Sequence, residues 1–266
     1  VITAATLKLY PLPAAQRTAL VALDSVRAAV GLLARARRHF DAGLTAFELM
    51  SGACLQLVTQ TFSQQRLPFT EAVGAWYVLL ELSDSESEAH ARERFDAMLG
   101  EALEAGEILD AAISESGAQS DAFWHLRESI TLALAEQGKC VKHDISLPVS
   151  GMVDFIANTD AALQQVVPGV RNMTFGHLGD GNLHYNLVRP LQQDDAEFFA
   201  QRDALSRVVH DYVHAHGGSI SAEQGVGQLR VQDLPHYKDE VELDLMRRLK
   251  QALDPQGIMN PGKVLA

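Results

Sequence analysis

Two histidines flank a glycine-rich segment in the second half of the chain, where residues 176–186 read GHLGDGNLHYN. An Asp-Gly pair between two short apolar runs is typical of a two-residue hairpin turn, here at Asp180 and Gly181. In that register His177 and His184 are expected to face each other, with Cβ atoms ~4.5–5.5 Å apart. Two imidazoles at that spacing can bind one metal ion, whereas the alternative is two histidines on a polar face without a metal. Asn186 is expected on the same face as His184.

Strand-like and helix-like patterns alternate along the chain and would position this hairpin. Strands are predicted at 3–10, 44–50, 76–82, 108–113, 140–147, 170–175, 183–188 and 219–221. Helices are predicted at 14–40, 52–62, 86–105, 152–167, 196–216 and 240–253, and from Ser120 or Asp121 to 136. Because one strand pair is joined by a tight hairpin, we expect an α+β fold with antiparallel sheets and packed helices rather than an all-parallel sheet.

Composition narrows the function classes. The chain has 266 residues and a formal net charge of −12, which argues against a nucleic-acid partner. No apolar run reaches the roughly 18–20 residues that a membrane span requires. The two cysteines, Cys54 and Cys140, do not form a C-x-x-C pair and are interpreted as two buried thiols in a reducing compartment. These features together favour a cytoplasmic protein.

The hairpin motif resembles the signature of the C-terminal domain of FAD-linked oxidases, a family that includes the flavin-dependent D-lactate, D-2-hydroxyglutarate and glycolate dehydrogenases. Further matching stretches lie at 123–131, 142–148, 218–227 and 253–263. The resemblance therefore covers essentially residues 1–266, and the D-2-hydroxyglutarate dehydrogenases are the most similar subgroup. It implies a ferredoxin-like cap domain of a two-domain flavoenzyme, with the FAD-binding domain N-terminal to this chain.

The resemblance also implies a set of site residues. It assigns a metal, usually zinc, to His177, His184 and Glu223, and it assigns the substrate's carboxylates to Arg127, Thr131 and Lys142. It further implies a substrate contact at Asn186 and a flavin contact at Asn260. From the residues alone, other interpretations stay open. Glu223 could be a solvated carboxylate, and Arg127 could form an intrahelical ion pair with Glu128 or a neighbouring acid. Lys142 could be a solvated strand end, and His143 could serve packing.

One position departs from the family pattern. The family reads AEHGIG, and its histidine is regarded as the catalytic base, whereas residues 222–227 here read AEQGVG with Gln224 in its place. Glutamine cannot accept a proton at neutral pH. A water molecule or a nearby histidine such as His143 would then have to take the proton.

Three hypotheses for function follow. The first is the substrate- and metal-binding domain of an FAD-dependent D-2-hydroxy acid dehydrogenase. The whole enzyme would oxidise the 2-hydroxyl to a 2-oxo group and pass electrons to an unidentified acceptor. This chain alone is expected to be inactive. The alternative is a catalytically impaired metal- and acid-binding module, suggested by Gln224. The third is an α+β interaction domain with coincidental histidines. A homodimer is one assembly that we consider.

Overall fold

The computed structural model describes residues 2–70 and 74–265. Its strands are β1 (Ala15–Leu23), β2 (Leu44–Ser51), β3 (Trp76–Asp84), β4 (Asp110–Ile113), β5 (Cys140–Ser146), β6 (Arg171–His177) and β7 (Asn182–Val188). Its α-helices are α1 (Val26–Phe40), α2 (Gly52–Thr61), α3 (Glu88–Glu104), α4 (Gly117–Glu136), α5 (Met152–Val166), α6 (Asp195–Phe199), α7 (Arg202–Ala215), α8 (Leu234–Tyr237) and α9 (Glu240–Leu253). The described residues form two compact units. Unit one runs to Lys139 and also contains Met173–Gly179, and unit two contains Cys140–Asn172 and the residues from Asp180 onwards.

Unit one is built on antiparallel strands in the order β4-β1-β3-β2, with the end of β6 beside β2. The longest pairing joins β1 to β3, from Ala15 opposite Asp84 to Leu23 opposite Trp76. Side chains on both faces of β1 are buried, because α3 and α4 both pack against this strand. A strand covered on both faces is expected to be almost continuously apolar, as residues 19–23 are.

Unit two pairs β5 with β7 in antiparallel register, from Cys140 opposite Val188 to Ser146 opposite Asn182. Successive side chains of a strand point to opposite faces. In β5 and β7, one of these faces is mainly apolar and the other mainly polar. The apolar face is buried and contains Val141, His143, Ile145, Leu183, Tyr185 and Leu187. The polar face contains Lys142, Asp144, His184 and Asn186, and three of these, Lys142, His184 and Asn186, are predicted site residues.

The antiparallel α+β prediction is confirmed, and most predicted elements lie within about two residues of the observed ones. The predicted strand at 3–10 is wrong, since these residues form neither helix nor strand and are exposed. The first strand lies instead inside the predicted helix 14–40. A continuous apolar run does not distinguish a buried strand from a helix, and Leu20, Leu23 and Val26 also fit a helical spacing.

Other corrections are local. The predicted helix 196–216 is divided into α6 and α7, and α4 begins after Ser116 rather than at Ser120 or Asp121. The side chain of Ser87 caps α3 by accepting a hydrogen bond from the backbone N of His90 at 3.1 Å. Within the described ranges, no helix has the length and hydropathy needed to cross a bilayer.

Candidate functional site

The connection between β6 and β7 differs from the predicted turn. His177 ends β6, Leu178–Asp180 form a 3₁₀ turn, and Gly181 follows with φ +70° before β7 begins. The two-residue turn is therefore wrong, and the connection has four residues. Glycine is required at 181, because a Cβ there would lie 2.2 Å from the carbonyl oxygen of Leu147. The Leu147 backbone N donates to the Gly181 oxygen at 2.9 Å.

Two of the three residues expected to bind a metal lie together in unit two. His184 Nε2 is 3.2 Å from Glu223 Oε1. The third residue, His177, ends β6 and belongs to unit one. Two imidazoles and one carboxylate that leave a coordination position open are the donor set of a catalytic zinc site. The chemistry of the three predicted donors therefore fits zinc, and the three-residue set stays a prediction.

A buried carboxylate that the sequence analysis had not assigned supports the loop that carries Glu223. Asp144 is 5% exposed, and its Oδ2 accepts hydrogen bonds from the backbone N of Ala222, Glu223 and Gln224 at 3.1, 2.9 and 2.8 Å. Its Oδ1 lies 3.7 Å from His184 Nδ1. The alternation of β5 contained a signal for this residue, because Asp144 shares the polar face with Lys142 and lies opposite His184.

Gln224 lies beside His184. Its backbone N is bound by Asp144, and its Nε2 is 3.5 Å from His184 Nδ1. The side chain at the family's base position therefore reaches the candidate metal ligands. An uncharged amide at this place can donate or accept a hydrogen bond but cannot take a proton from a substrate.

Arg127 is held in unit one by an acid that is distant in sequence. Its Nε donates to Glu48 Oε2 at 2.8 Å, and its guanidinium lies 4.7 Å from the centroid of the Phe175 ring. The alternative pairing with Glu128 is wrong. The other oxygen of Glu48 is bound to His177 Nδ1. Glu48 was missed, although an acid between Phe47 and Leu49 in an apolar strand indicates a buried charge that needs a partner.

The remaining predicted site residues, for substrate and flavin, lie in both units. Thr131 lies one turn after Arg127 on α4 and is exposed. Lys142 is exposed on β5 and lies opposite the buried Asn186 of β7. Asn260 is exposed in the turn after α9, with φ +46°. The side chains of Lys142 and Asn186 thus share one face, and the flavin contact of Asn260 stays a prediction.

The packing interpretation of His143 is confirmed. This side chain is 1% exposed and lies on the apolar face of β5, whereas Asp144 lies on the polar face. Its Nδ1 donates to the backbone oxygen of Tyr185 at 2.8 Å. Because Nδ1 carries the proton, Nε2 accepts from the hydroxyl of Ser206 at 3.0 Å. Burial lowers the pKa of His143 to about 3. Its alternative role as proton acceptor is therefore wrong, because both nitrogens are engaged and the ring is enclosed.

Unit two contains a cavity of about 520 Å³ along β5 and the first turns of α7. Its charged lining consists of Lys142, Arg202, Arg207, Arg230, Asp203 and Asp233, so cations outnumber acids. Arg230 is fixed there by donating from Nη2 to the Lys142 backbone oxygen at 2.6 Å. In a chain of net charge −12, this lining makes the cavity locally favourable for an anion.

Both cysteines are free thiols, as expected from the sequence, but the expected burial holds for Cys54 alone, and Cys140 is half-buried. Cys54 is completely buried, and burial raises the pKa of its thiol to about 12. Burial also raises the pKa of Cys140. A thiol with a raised pKa contains little thiolate at neutral pH, so neither residue has the character of a reactive cysteine.

Comparisons with known proteins identify the family of this chain. The family model "FAD linked oxidases, C-terminal domain" matches residues 12–264. D-2-hydroxyglutarate dehydrogenase of Xanthomonas citri pv. viticola is 35% identical over 266 residues, covering 99% of this chain and 54% of that protein. The mitochondrial D-2-hydroxyglutarate dehydrogenase of Rattus norvegicus is 34% identical over 272 residues, covering 100% of this chain and 48% of that protein. The chain thus spans about half the length of these relatives.

Solved structures support the same fold. A p-cresol methylhydroxylase with bound substrate superposes with a TM-score of 0.70 at 13% identity. The match covers 96% of this chain and 53% of the p-cresol methylhydroxylase chain. A 4-ethylphenol oxidase from Gulosibacter chungangensis matches 97% of this chain and 55% of its own, with a TM-score of 0.61 at 14% identity. At such low identities the likeness extends to the fold alone. From the family match and the relatives above, the chain belongs to the C-terminal domain family of the FAD-linked oxidases.

Proposed function

We propose that this chain is the substrate- and metal-binding domain of an FAD-dependent D-2-hydroxy acid dehydrogenase that acts on a D-2-hydroxyglutarate-like or D-lactate-like substrate. The observation that carries the proposal is the contact of two predicted metal ligands in unit two, His184 Nε2 and Glu223 Oε1, at 3.2 Å. The relatives named D-2-hydroxyglutarate dehydrogenase support the substrate class. Because the chain spans about half of them, the flavin site is expected mainly in another domain of the whole protein.

The chemistry requires two departures from the substrate, a proton from the 2-hydroxyl oxygen and a hydride from the α-carbon. Oxidation of a 2-hydroxy acid removes the hydroxyl proton and the α-hydrogen with its electron pair. FAD, when bound, supplies the acceptor for that hydride, and zinc, when bound, lowers the pKa of a coordinated hydroxyl. His177, His184 and Glu223 would hold the zinc.

The chain's own cations would bind and orient the acid. Because Nε of Arg127 is bonded to Glu48, its Nη groups are the part of the guanidinium that can pair with a carboxylate. Thr131, one turn later, can add a hydroxyl hydrogen bond. Lys142 and Asn186 share the polar face of unit two and can supply an ammonium and an amide. This donor set exceeds the needs of one carboxylate and favours a dicarboxylate.

Gln224 supports a second candidate, a metal- and acid-binding module with impaired catalysis. Its amide lies 3.5 Å from His184 Nδ1 but cannot serve as a base. In the enzyme hypothesis, a water molecule takes the hydroxyl proton. In the module hypothesis, the acid binds and is not oxidised.

Reduction of the flavin separates the two. The full-length protein that contains this chain, loaded with FAD and zinc, is mixed with D- and L-forms of 2-hydroxyglutarate and lactate. Bleaching of the flavin absorbance by a D-acid supports the enzyme, and binding of a D-acid without bleaching supports the module. Lys142→Met should raise the KM for the best substrate by ~10-fold or more, as expected for a lost charged hydrogen bond. Lys139→Met, three residues earlier, is the matched control.

The electron acceptor, a homodimer and a cytoplasmic location stay predictions. The rat relative carries the word mitochondrial in its name, so location is a property to be measured for the whole protein. Immunofluorescence or fractionation of the expressing cells would establish it.

A further inference from the structure

We propose that Asp144 is the positioning residue of the candidate metal centre, which anchors the loop bearing Glu223 and orients His184 for metal binding. This inference rests on the proposed metal site and names a residue that acts through its ligands. Asp144 belongs to β5 and is 5% exposed. Its Oδ2 binds the loop that carries Glu223, and its Oδ1 faces His184.

The first oxygen anchors the loop. Oδ2 accepts from three consecutive backbone N–H groups, those of Ala222, Glu223 and Gln224, at 2.8–3.1 Å. Successive N–H groups that converge on one point form an anion-binding concavity, and a carboxylate there makes charge-assisted hydrogen bonds. The concavity is therefore filled by a side chain of the same unit.

Backbone hydrogen bonds hold the loop on both sides of Glu223 and Gln224. After them, the Gly227 oxygen accepts from the backbone N of Val264 at 2.7 Å. Before them, single bridges join Ser219 to Ser146 and Ser221 to Asp144, and the backbone N of Ala222 also donates to the Asp144 backbone oxygen at 3.1 Å. Loss of the carboxylate should therefore release Glu223 and Gln224 together while leaving β5 and β7 paired.

The second oxygen faces the histidine. Oδ1 is buried without a hydrogen-bond partner among the described residues and lies 3.7 Å from His184 Nδ1. Nε2 of the same ring is the atom near Glu223. A histidine that binds metal through Nε2 carries its proton on Nδ1, and a nearby carboxylate favours that tautomer. Gln224 Nε2 lies 3.5 Å from the same Nδ1, and turning the amide by 180° would present its oxygen as an acceptor for that proton.

The test compares Asp144→Asn with Asp154→Asn, an exposed acid in the first turn of α5 that serves as matched control. Zinc affinity is measured by competition with a chelator. Asp144→Asn should weaken zinc binding by roughly 10- to 100-fold, the range for partners of metal-binding histidines, and Asp154→Asn should not change it. Equal affinity in all three proteins would overturn the ligand-positioning role.

Two metal-free measurements make the result independent of overall stability. Amide exchange at 222–224 should become about 10-fold faster or more in Asp144→Asn, while amides of β5 and β7 keep their protection. The imidazole nitrogen shifts of His184 above pH 8 should report Nδ1–H in the unaltered protein and a larger Nε2–H fraction in the variant. Unchanged exchange and an unchanged tautomer would refute the proposal.

The outcomes distinguish this inference from the function on which it rests. If the unaltered protein binds no zinc, the proposed metal centre fails, and the ligand-positioning role fails with it. Faster exchange at 222–224 would still support the anchoring of the loop by Asp144. If the protein binds zinc and Asp144→Asn binds it equally well, only the role of Asp144 is overturned.

Discussion

Glu48 accepts a hydrogen bond from the Nε of Arg127 at 2.8 Å, and about nine-tenths of each side chain is buried. The second oxygen of the same carboxylate is bound to His177 Nδ1. Within unit one, a single acid therefore orients both a predicted substrate cation and a predicted metal ligand. Neither role is visible from the position of Glu48 in the sequence.

Replacing this acid should cost stability. Glu48→Gln is expected to lower the free energy of unfolding by on the order of 3 kcal/mol, because Arg127 remains charged and buried without its partner. Urea denaturation measures the change. Glu128→Gln, the exposed acid beside Arg127 on α4, is the control and should stay within about 0.5 kcal/mol of the unaltered protein. Similar stabilities for both variants would contradict the buried ion pair.

Metal content should depend on the hairpin histidine. His184→Ala is expected to lose bound zinc, because it leaves two of the three protein ligands. Elemental analysis of tag-free protein after dialysis against zinc checks this, with His125→Ala, an exposed histidine of α4, as the control. Dialysis at pH 5 should also release the metal from the unaltered protein, since the ligands must be deprotonated. Equal metal in both variants would remove His184 from the site.

Restoring the family residue tests the missing base. Gln224→His in the full-length enzyme is expected to raise kcat, by up to the ~10²- to 10⁴-fold that general-base catalysis contributes. The gain should appear with a titration near pH ~6.5, where an imidazole changes charge. Gln228→His, in the same loop, should change neither. A kcat that stays flat or falls, with metal still bound, favours a Gln224 that contacts the substrate directly.

Acid should weaken unit two through its buried imidazole. Burial lowers the pKa of His143 to about 3 in the folded protein, from 6.5 for an ordinary histidine. The unfolded chain thus binds more protons between these values, so stability is complete above pH 6.5 and falls as the pH is lowered. From pH 7 to pH 5 the loss for this group is on the order of 2 kcal/mol.

Unfolding in urea at both pH values measures this loss. His143→Phe should decrease the difference between pH 7 and pH 5 by about that amount, on the order of 2 kcal/mol. The residual pH dependence includes His210, whose pKa burial lowers to about 2. The exposed His125→Phe should retain the full difference. An unaltered pH dependence in His143→Phe would show that His143 is not the group responsible.

The sequence by itself determined the family, the antiparallel α+β class and the three candidate ligands. These properties depend on residue types at short spacing, such as the two histidines around Gly-Asp-Gly-Asn, and on a motif that a local segment carries complete. The sequence also identified Gln224 as a departure, because a substitution within a motif is visible without coordinates.

The tertiary structure decided which partners these residues have. The first strand was hidden in an apolar run that fits a helix equally well, and only its burial on both faces distinguishes the two. Glu48 lies 79 residues from Arg127, and Asp144 lies 79 residues from Glu223. No local pattern connects residues so far apart. Their pairing follows from strand register and from the cost of burying a carboxylate without a partner, both of which exist only in the folded chain.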